Sequence, residues 1–419
     1  MLIVASTTGY QIRTLSSVAR RIGVGLVFVS DRCSKLDDPW GDDAISVDFG
    51  DEQDAVASLL ETKSREPIDG VISFGDRPAV IGAHIANALG LLGNTPDAVE
   101  IAGNKLLTRL KLCSDGLPSP QFRAIPLHLS ANVVSSWLRF PCVVKPVALS
   151  ASRGVMKADN REEFRYAVER LHSLLSSDDV RGLRNSANEL ILVEDYIPGV
   201  EVAIEGLVTD GVFRLLAVFD KPGLQDGPFF EESIYVRPTG LAKSKVRHIL
   251  CTVTEAVSAV GITHGPVHIE CRINDNGVYI LEIAARPIGG LCSRVLRFEN
   301  CKATDVSLEE LLCRHSLGEN VDEFRVMPGA SGVMMIPIPR HGRLRGVHGV
   351  ERAKMCDGVE DVVISAKTGQ ELIPLPEGGS YLGFIFARAS NSSDVVSVLN
   401  SAHGCLSFDV STSITVSRH

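Results

Sequence analysis

Glu270 and Glu282 lie in two short runs of alternating residues joined by Asp275-Asn276-Gly277. In the first run Val267, Ile269, Cys271 and Ile273 alternate with His268, Glu270 and Arg272. In the second, Tyr279, Leu281 and Ile283 alternate with Ile280, Glu282 and Ala284. A period of two predicts half-buried strands. A three-residue loop with Gly277 in the left-handed position then pairs Asn274 with Val278 and sets Glu270 opposite Glu282. A two-residue turn would send the glutamates to opposite faces, so their pairing depends on loop length. Directly opposed carboxylates lie about 5 Å apart at Cβ and repel, so a cation belongs between them. Mg²⁺ suits the place, because it binds through one or two carboxylates plus substrate phosphates. Arg286, on the same face two pleats beyond Glu282 and followed by a Pro-Ile-Gly-Gly turn, completes a set fit for phosphoryl transfer. The same residues also allow a plain surface hairpin whose glutamates pair with Arg272 and Arg286.

The elements that must position this hairpin can be read upstream. At 419 residues the chain predicts two or three domains. Residues 1–100 alternate strand and helix, with strands at Leu2–Ala5, Gly25–Ser30 and Gly70–Phe74 and helices at Thr14–Arg21 and Pro78–Leu89. This is the rhythm of a parallel α/β sheet. Gly9 stands alone after the first strand, so no dinucleotide fingerprint is present. The strand-end loop Ser73-Phe-Gly-Asp-Arg77 could meet a ligand, or Asp76 could simply cap a helix. From about Ser331 onward, short strands with Gly and Pro turns predict a small α+β end domain.

Composition excludes several classes. A net charge of −9, with no basic cluster interleaved with aromatics, argues against nucleic acid as partner. The ten cysteines are scattered, without a C-x-x-C pair, and read as reduced thiols of a cytoplasmic protein. The apolar run Met1–Ala5 is too short for a signal peptide, and no stretch approaches the roughly 20 apolar residues of a membrane helix.

Between the two ends lie further candidates. Lys145 ends the buried strand Phe140–Pro146, and the small-residue loop Ser150-Ala-Ser-Arg-Gly154 follows it. Small residues let backbone N–H groups approach phosphate oxygens, and a lysine adds a point charge. The strand ending in Glu194-Asp195-Tyr196-Ile197 could read adenine through its backbone, and Glu201 could accept from ribose hydroxyls. Exposed acids on a strand–turn–strand are the alternative. The polar segment Ser176–Asn188 reads as mobile. Val155-Met-Lys-Ala158 faintly resembles a biotin attachment site but falls within the small-residue loop region. His264 and His268 are four apart, which suits chelation on a helix and not on a strand. A structural role for His268, beside Glu270, is the simpler reading.

The order of these motifs carries a resemblance. Asn104-Lys105, Lys145-Pro146, Ser150–Gly154, Glu194–Glu201, then Glu270, Glu282 and Arg286 follow one another as in the ATP-grasp superfamily. From about residue 1 to 310 the chain resembles an ATP-grasp ligase. Its last segments, Ser331–Pro339 and Leu382–Ala387, look like the end domain of the L-amino-acid ligase branch. The resemblance implies a Rossmann-like α/β domain at 1–103, a two-lobed ATP-grasp domain at 104–320 and a C-terminal α+β domain at 321–419. The nucleotide lobe would span about 120–200 and the metal lobe about 200–315.

It further implies an ATP-dependent carboxylate–amine ligase that forms an amide, typically a dipeptide, through an acyl phosphate. Mg²⁺, or Mn²⁺ in its place, would serve as metal, a small-molecule carboxylate and amine, both amino acids, would be the substrates, and a homodimer is among the assemblies it allows. By matching motif, Lys105 and Lys145 would hold phosphates under a loop formed by Ser150, Ser152, Arg153 and Gly154. Asp195 and Ile197 would meet adenine after Glu194, Glu201 would hold ribose, and Glu270 and Glu282 would bind metal. Arg286, with backbone donors from Gly289 and Gly290, would steady the acyl phosphate, and Glu232 would sit near the attacking amine. One position departs: Ala284 stands where many members carry a metal-binding asparagine. A carboxylase using bicarbonate and a non-catalytic ATP-binding module are the alternatives.

Overall fold

A computed structural model describes residues 1–6, 14–31, 44–61, 67–136, 138–223, 228–230 and 233–411. Gly9 and Glu232 lie outside them. The chain forms two compact units.

The first unit comprises residues 1–119, 203–218 and 241–327. It opens with a parallel sheet in the order Ile45–Ser46, Val27–Ser30, Leu2–Ala5, Val71–Phe74. Leu2, Ile3 and Val4 are fully buried, as a central parallel strand covered on both faces requires. The helices Leu15–Ile22 and Glu52–Glu61 connect its strands and Asp76–Leu89 follows the last; the sequence rhythm predicts the first and third but not Glu52–Glu61. The short strand at Ile45–Ser46 has too few residues to show a period. Asp76 does not cap its helix: Gly75 occupies the cap position, and Asp76 is the first helical residue.

The helix Lys105–Ser114 starts where Asn104 Oδ1 accepts from the N–H groups of Leu106 and Leu107 at 3.1 and 3.2 Å. That cap fixes the helix start, and with it the direction in which Lys105 and Arg109 project. The strands Gly265–Asn274 and Gly277–Ala284 form the expected hairpin beside the strand Val200–Thr209. His268 and Arg272 are buried as well as Val267, Ile269 and Cys271. The first arm is therefore an interior strand covered on both faces, and not the half-buried one that its alternation predicts.

His264 and His315 stack in this unit, with ring centroids 4.1 Å apart and planes 17° apart. Burial, followed by the neighbouring His264 and Arg214, pushes the buried His315 down from 6.5 to about 4. The folded state therefore holds His315 neutral where the unfolded chain binds a proton. Its contribution is complete above pH 6.5 and is lost as pH falls toward 4. The loss amounts to about 3 kcal/mol. His315→Gln should flatten the stability profile across that window, as read from urea midpoints at fixed pH. A profile as steep as the wild type's would contradict this account.

The second unit comprises residues 120–202, 219–240 and 328–419. One antiparallel sheet has the order Phe122–Pro126, Leu190–Asp195, Cys142–Pro146, Met156–Ala158. It packs on the helix Arg161–Leu175, which buries Phe164, Ala167, Val168 and Leu171. That helix has the boundaries its amphipathic pattern predicts. The polar segment after it holds two short helical turns, Asp178–Arg181 and Ser186–Glu189. A second antiparallel sheet orders Ile234–Arg237, Ala330–Ile336, Gly383–Ala389 and Val359–Ile364. The helix Ser392–Gly404 covers it through Val395, Leu399 and Ala402. Among the described residues no helix is long and apolar enough to cross a membrane.

Candidate active site

The hairpin brings Glu270 and Glu282 face to face, but by a route other than the expected one. The turn holds two residues, Asp275 and Asn276, and Asn274 pairs with Gly277. Continued regularly, that register would place Glu270 opposite Leu281. A β-bulge after Cys271↔Ile280 leaves Leu281 out of the ladder, and the next pair is Glu270↔Glu282. An extra residue shifts one strand by one position and so exchanges its faces. Burial records the exchange: Val278 and Ile280 are buried on one side of Leu281, Ile283 on the other. A wrong loop length and an unforeseen bulge thus cancel.

Each carboxylate has a basic neighbour. Lys105 Nζ lies 3.3 Å from Glu282 Oε2. His268 Nε2 lies 3.5 Å from Glu270 Oε1, and its Nδ1 lies 3.4 Å from Glu205 Oε2. Burial alone would lower the His268 pKa, but Glu205 and Glu270 outweigh it and carry it up to about 9. Glu205 is fully buried on the neighbouring strand and accepts the Ile288 N–H at 3.2 Å. It therefore ties the strand of Glu270 to the turn that follows Arg286. Burial raises its own pKa against the pull of His268 and that N–H. Glu205→Leu should cost roughly 3 kcal/mol or more, because it strands a buried imidazole and a backbone donor. Glu205→Gln keeps an acceptor for Ile288 and should recover part of the loss. Urea midpoints read both, and an unshifted midpoint for the leucine variant would refute the role.

Arg286 is half-buried and held by Asp76 at the start of the Asp76–Leu89 helix. Nε meets Oδ1 at 2.7 Å and Nη2 meets Oδ2 at 3.2 Å, a two-point clamp. Burial would raise the Asp76 pKa, yet Arg286, aided by Lys105 and His268, holds it below the usual carboxylate range. Arg286 answers in kind: burial would lower its pKa, and Asp76 raises it further above the ordinary value. The surface pairing of the glutamates with Arg272 and Arg286 is therefore not what Arg286 does. Beyond it Gly290 and Leu291 are both left-handed, at φ 61° and 53°, and the space beside Gly289 is open.

The donor set in this unit can be tested against a metal. Among the described residues no group of three or more His, Cys, Asp or Glu could hold one. Two opposed carboxylates without a protein cage fit Mg²⁺ delivered with a nucleotide, and not a resident structural ion. Lys105 at Glu282 already answers the charge repulsion that a divalent ion would relieve.

In the second unit Lys145 and Glu194 form a buried ion pair at 2.8 Å, their strands paired side by side. Glu201 pairs with the buried Lys221 at 2.9 Å, and that ammonium also lies 5.2 Å from the Tyr235 ring centre. The Asp195 N–H donates to Gln121 and the Tyr196 N–H to Pro141, so the ladder closes just before Ile197. Ala151 and Ser152 are left-handed, at φ 56° and 55°. Ser150 is exposed, whereas Arg153 donates to the Glu377 carbonyl and pairs with Asp179. The Gly154 N–H donates to Pro376 at 2.7 Å, and a Cβ there would press on Leu171, Leu174 and Pro146. The loop thus splits into an exposed strained part and a part anchored to residues 376–377.

Sequence reasoning missed Arg109 and Glu205, offered a helix cap as one of two readings of Asp76, and saw no partner for Glu201. Arg109 at four residues after Lys105 was the one available signal, since both fall on one helix face.

Comparison with known proteins gives the class. Residues 138–295 match the ATP-grasp domain family, and residues 334–411 match the L-amino acid ligase C-terminal domain 2 family. The crystal structure of an L-amino acid ligase from Bacillus licheniformis superposes with a TM-score of 0.78 at 26% identity, over 98% of this chain and 99% of that one. The L-arginine-specific L-amino acid ligase of Bacillus subtilis is 22% identical over 86% of this chain and 85% of its own length. Carnosine synthase 1 of Mus musculus is 28% identical over 58% of the chain, which spans only 30% of that protein. The fold and the paired families define an ATP-dependent ligase that forms C–N bonds. The chain belongs to the ATP-grasp carboxylate–amine ligases, in the L-amino-acid ligase branch.

Proposed function

We propose that the chain joins two amino acids into a dipeptide through an acyl phosphate, with Mg²⁺ as the metal. The opposed pair Glu270 and Glu282, with Arg286 clamped behind them, is the observation that carries this reading. A carboxylate is a poor electrophile, and phosphorylation by ATP gives it a leaving group. One substrate carboxylate attacks the γ-phosphorus and ADP leaves. The amine of the second attacks the acyl carbonyl, phosphate departs, and the ammonium proton is lost to a base.

Glu270 and Glu282 would hold the metal, which when bound offsets phosphate charge that repels the incoming carboxylate. Lys105 and Lys145 would bear on phosphate oxygens, and the segment Ser150 to Ser152 would cover them. Glu194, Asp195, Ile197 and Glu201 lie along the nucleoside. Arg286 places a permanent charge where negative charge develops, and Gly289 and Gly290 offer backbone donors. Glu232 serves the amine. The domains divide at residues 103 and 320.

The test is phosphate release from Mg-ATP against a matrix of paired amino acids, with products weighed by mass spectrometry. Release that needs two partners, with a condensed product, supports the reading. Release that needs bicarbonate and no amine would replace it with carboxylation. ATP binding without release under any pair would replace it with a nucleotide-binding role.

A further inference from the structure

We propose that Arg109 is a positioning residue whose guanidinium holds the β-bulge that turns Glu282 toward Glu270. The inference rests on the metal role proposed above for the two glutamates. A bulge removes its extra residue from the ladder, so that residue's carbonyl needs a partner elsewhere. The extra residue is Leu281, and Arg109 Nη2 donates to its carbonyl oxygen at 2.6 Å. Arg109 is completely buried, the largest side chain in the molecule to be so among the described residues. Full burial of a guanidinium costs several kcal/mol unless its donors are engaged. One of its donors, Nη2, engages the carbonyl that the bulge displaces.

Helix geometry sharpens the point. Lys105 and Arg109 stand one turn apart on the capped helix Lys105–Ser114. The first meets the Glu282 carboxylate at 3.3 Å, and the second meets the carbonyl of the residue just before it. One helix face thus grips two consecutive residues of the strand, the side chain of one and the backbone of the other. Without the bulge Glu282 would point to the opposite face from Glu270.

The test is Mn²⁺ titration of the full chain with ADP, followed by electron paramagnetic resonance, in wild type, Arg109→Met, Arg109→Lys and Glu282→Gln. Metal-free ADP affinity and thermal melting are read alongside. Arg109→Met should melt cooperatively and bind ADP alone within about twofold of wild type, yet lose roughly tenfold or more in Mn²⁺ affinity, as supporting residues of metal sites do. Arg109→Lys, which keeps one donor on a shorter reach, should fall between. Wild-type Mn²⁺ affinity in a folded Arg109→Met overturns the proposal. Failure of both Arg109 variants to fold overturns it too, because Arg109 would then be a core stabiliser. Wild-type Mn²⁺ binding that Glu282→Gln leaves intact would instead overturn the metal reading itself.

Discussion

Glu282→Gln should abolish substrate-dependent ADP formation, by about 10³-fold or more, while the protein stays folded. The substitution keeps the volume and removes only one charge. That charge is one of two carboxylates facing each other across the hairpin. With no third protein ligand in reach among the described residues, losing one of the pair leaves a single protein anchor. A factor of 10³ is about 4 kcal/mol, within the several kcal/mol that metal-assisted charge stabilisation supplies. Stability should hardly move, because two small changes oppose. Relief of the facing like charges gains about 0.2–1 kcal/mol, and Lys105 loses a carboxylate at 3.3 Å. ADP release in the presence of the active amino-acid pair reads the first effect, and a urea midpoint reads the second. Wild-type turnover in the variant would remove Glu282 from the site.

The hairpin also marks how far the residues alone could be read. Alternation placed Glu270 correctly, because a strand's period is a local property of side-chain direction. The turn was read one residue too long, since Asn276-Gly277 and Asp275-Asn276 offer equally good turn chemistry. The bulge that restores the pairing has no signature in Tyr279 to Ile283. It is held by Arg109, 172 residues upstream, and a contact at that separation leaves no periodic trace. Asp76 and Arg286 are 210 residues apart, so a strand-end acid read locally as a helix cap is in fact a counter-ion. Glu205 and Lys221 were passed over because a charged residue in an apolar run reads as an exposed face. Burial of paired charges is the tertiary choice that overrides that pattern. The N-terminal strands and the Arg161–Leu175 helix, whose patterns are long and local, stand where the sequence puts them.

Asp76→Ala should cost about 1.5–3 kcal/mol of stability and at least about 10²-fold in amide formation. Removing one partner of a partly buried pair leaves an uncompensated charge, which is the expensive half of such an interaction. Arg286 would then be a half-buried guanidinium without its two-point clamp, free to swing from the position that its partner dictates. Two further variants separate the structural loss from the functional one. Asp76→Leu combined with Arg286→Met replaces the pair by apolar groups of similar size and should regain most or all of the stability. Activity should stay lost, since the charge proposed to meet the developing phosphate is gone. pH gives an independent check. Arg286 outweighs burial and lowers the Asp76 pKa, so the contribution of Asp76 is present above the unfolded carboxylate value and lost only as pH falls through the lower folded one. At about pH 4, where a free aspartate is half protonated, the wild type should therefore keep its margin over Asp76→Ala. A margin that vanishes already at that pH would show that Arg286 does not hold Asp76 ionised, and a double variant that recovers turnover together with stability would show that the clamp serves the fold alone.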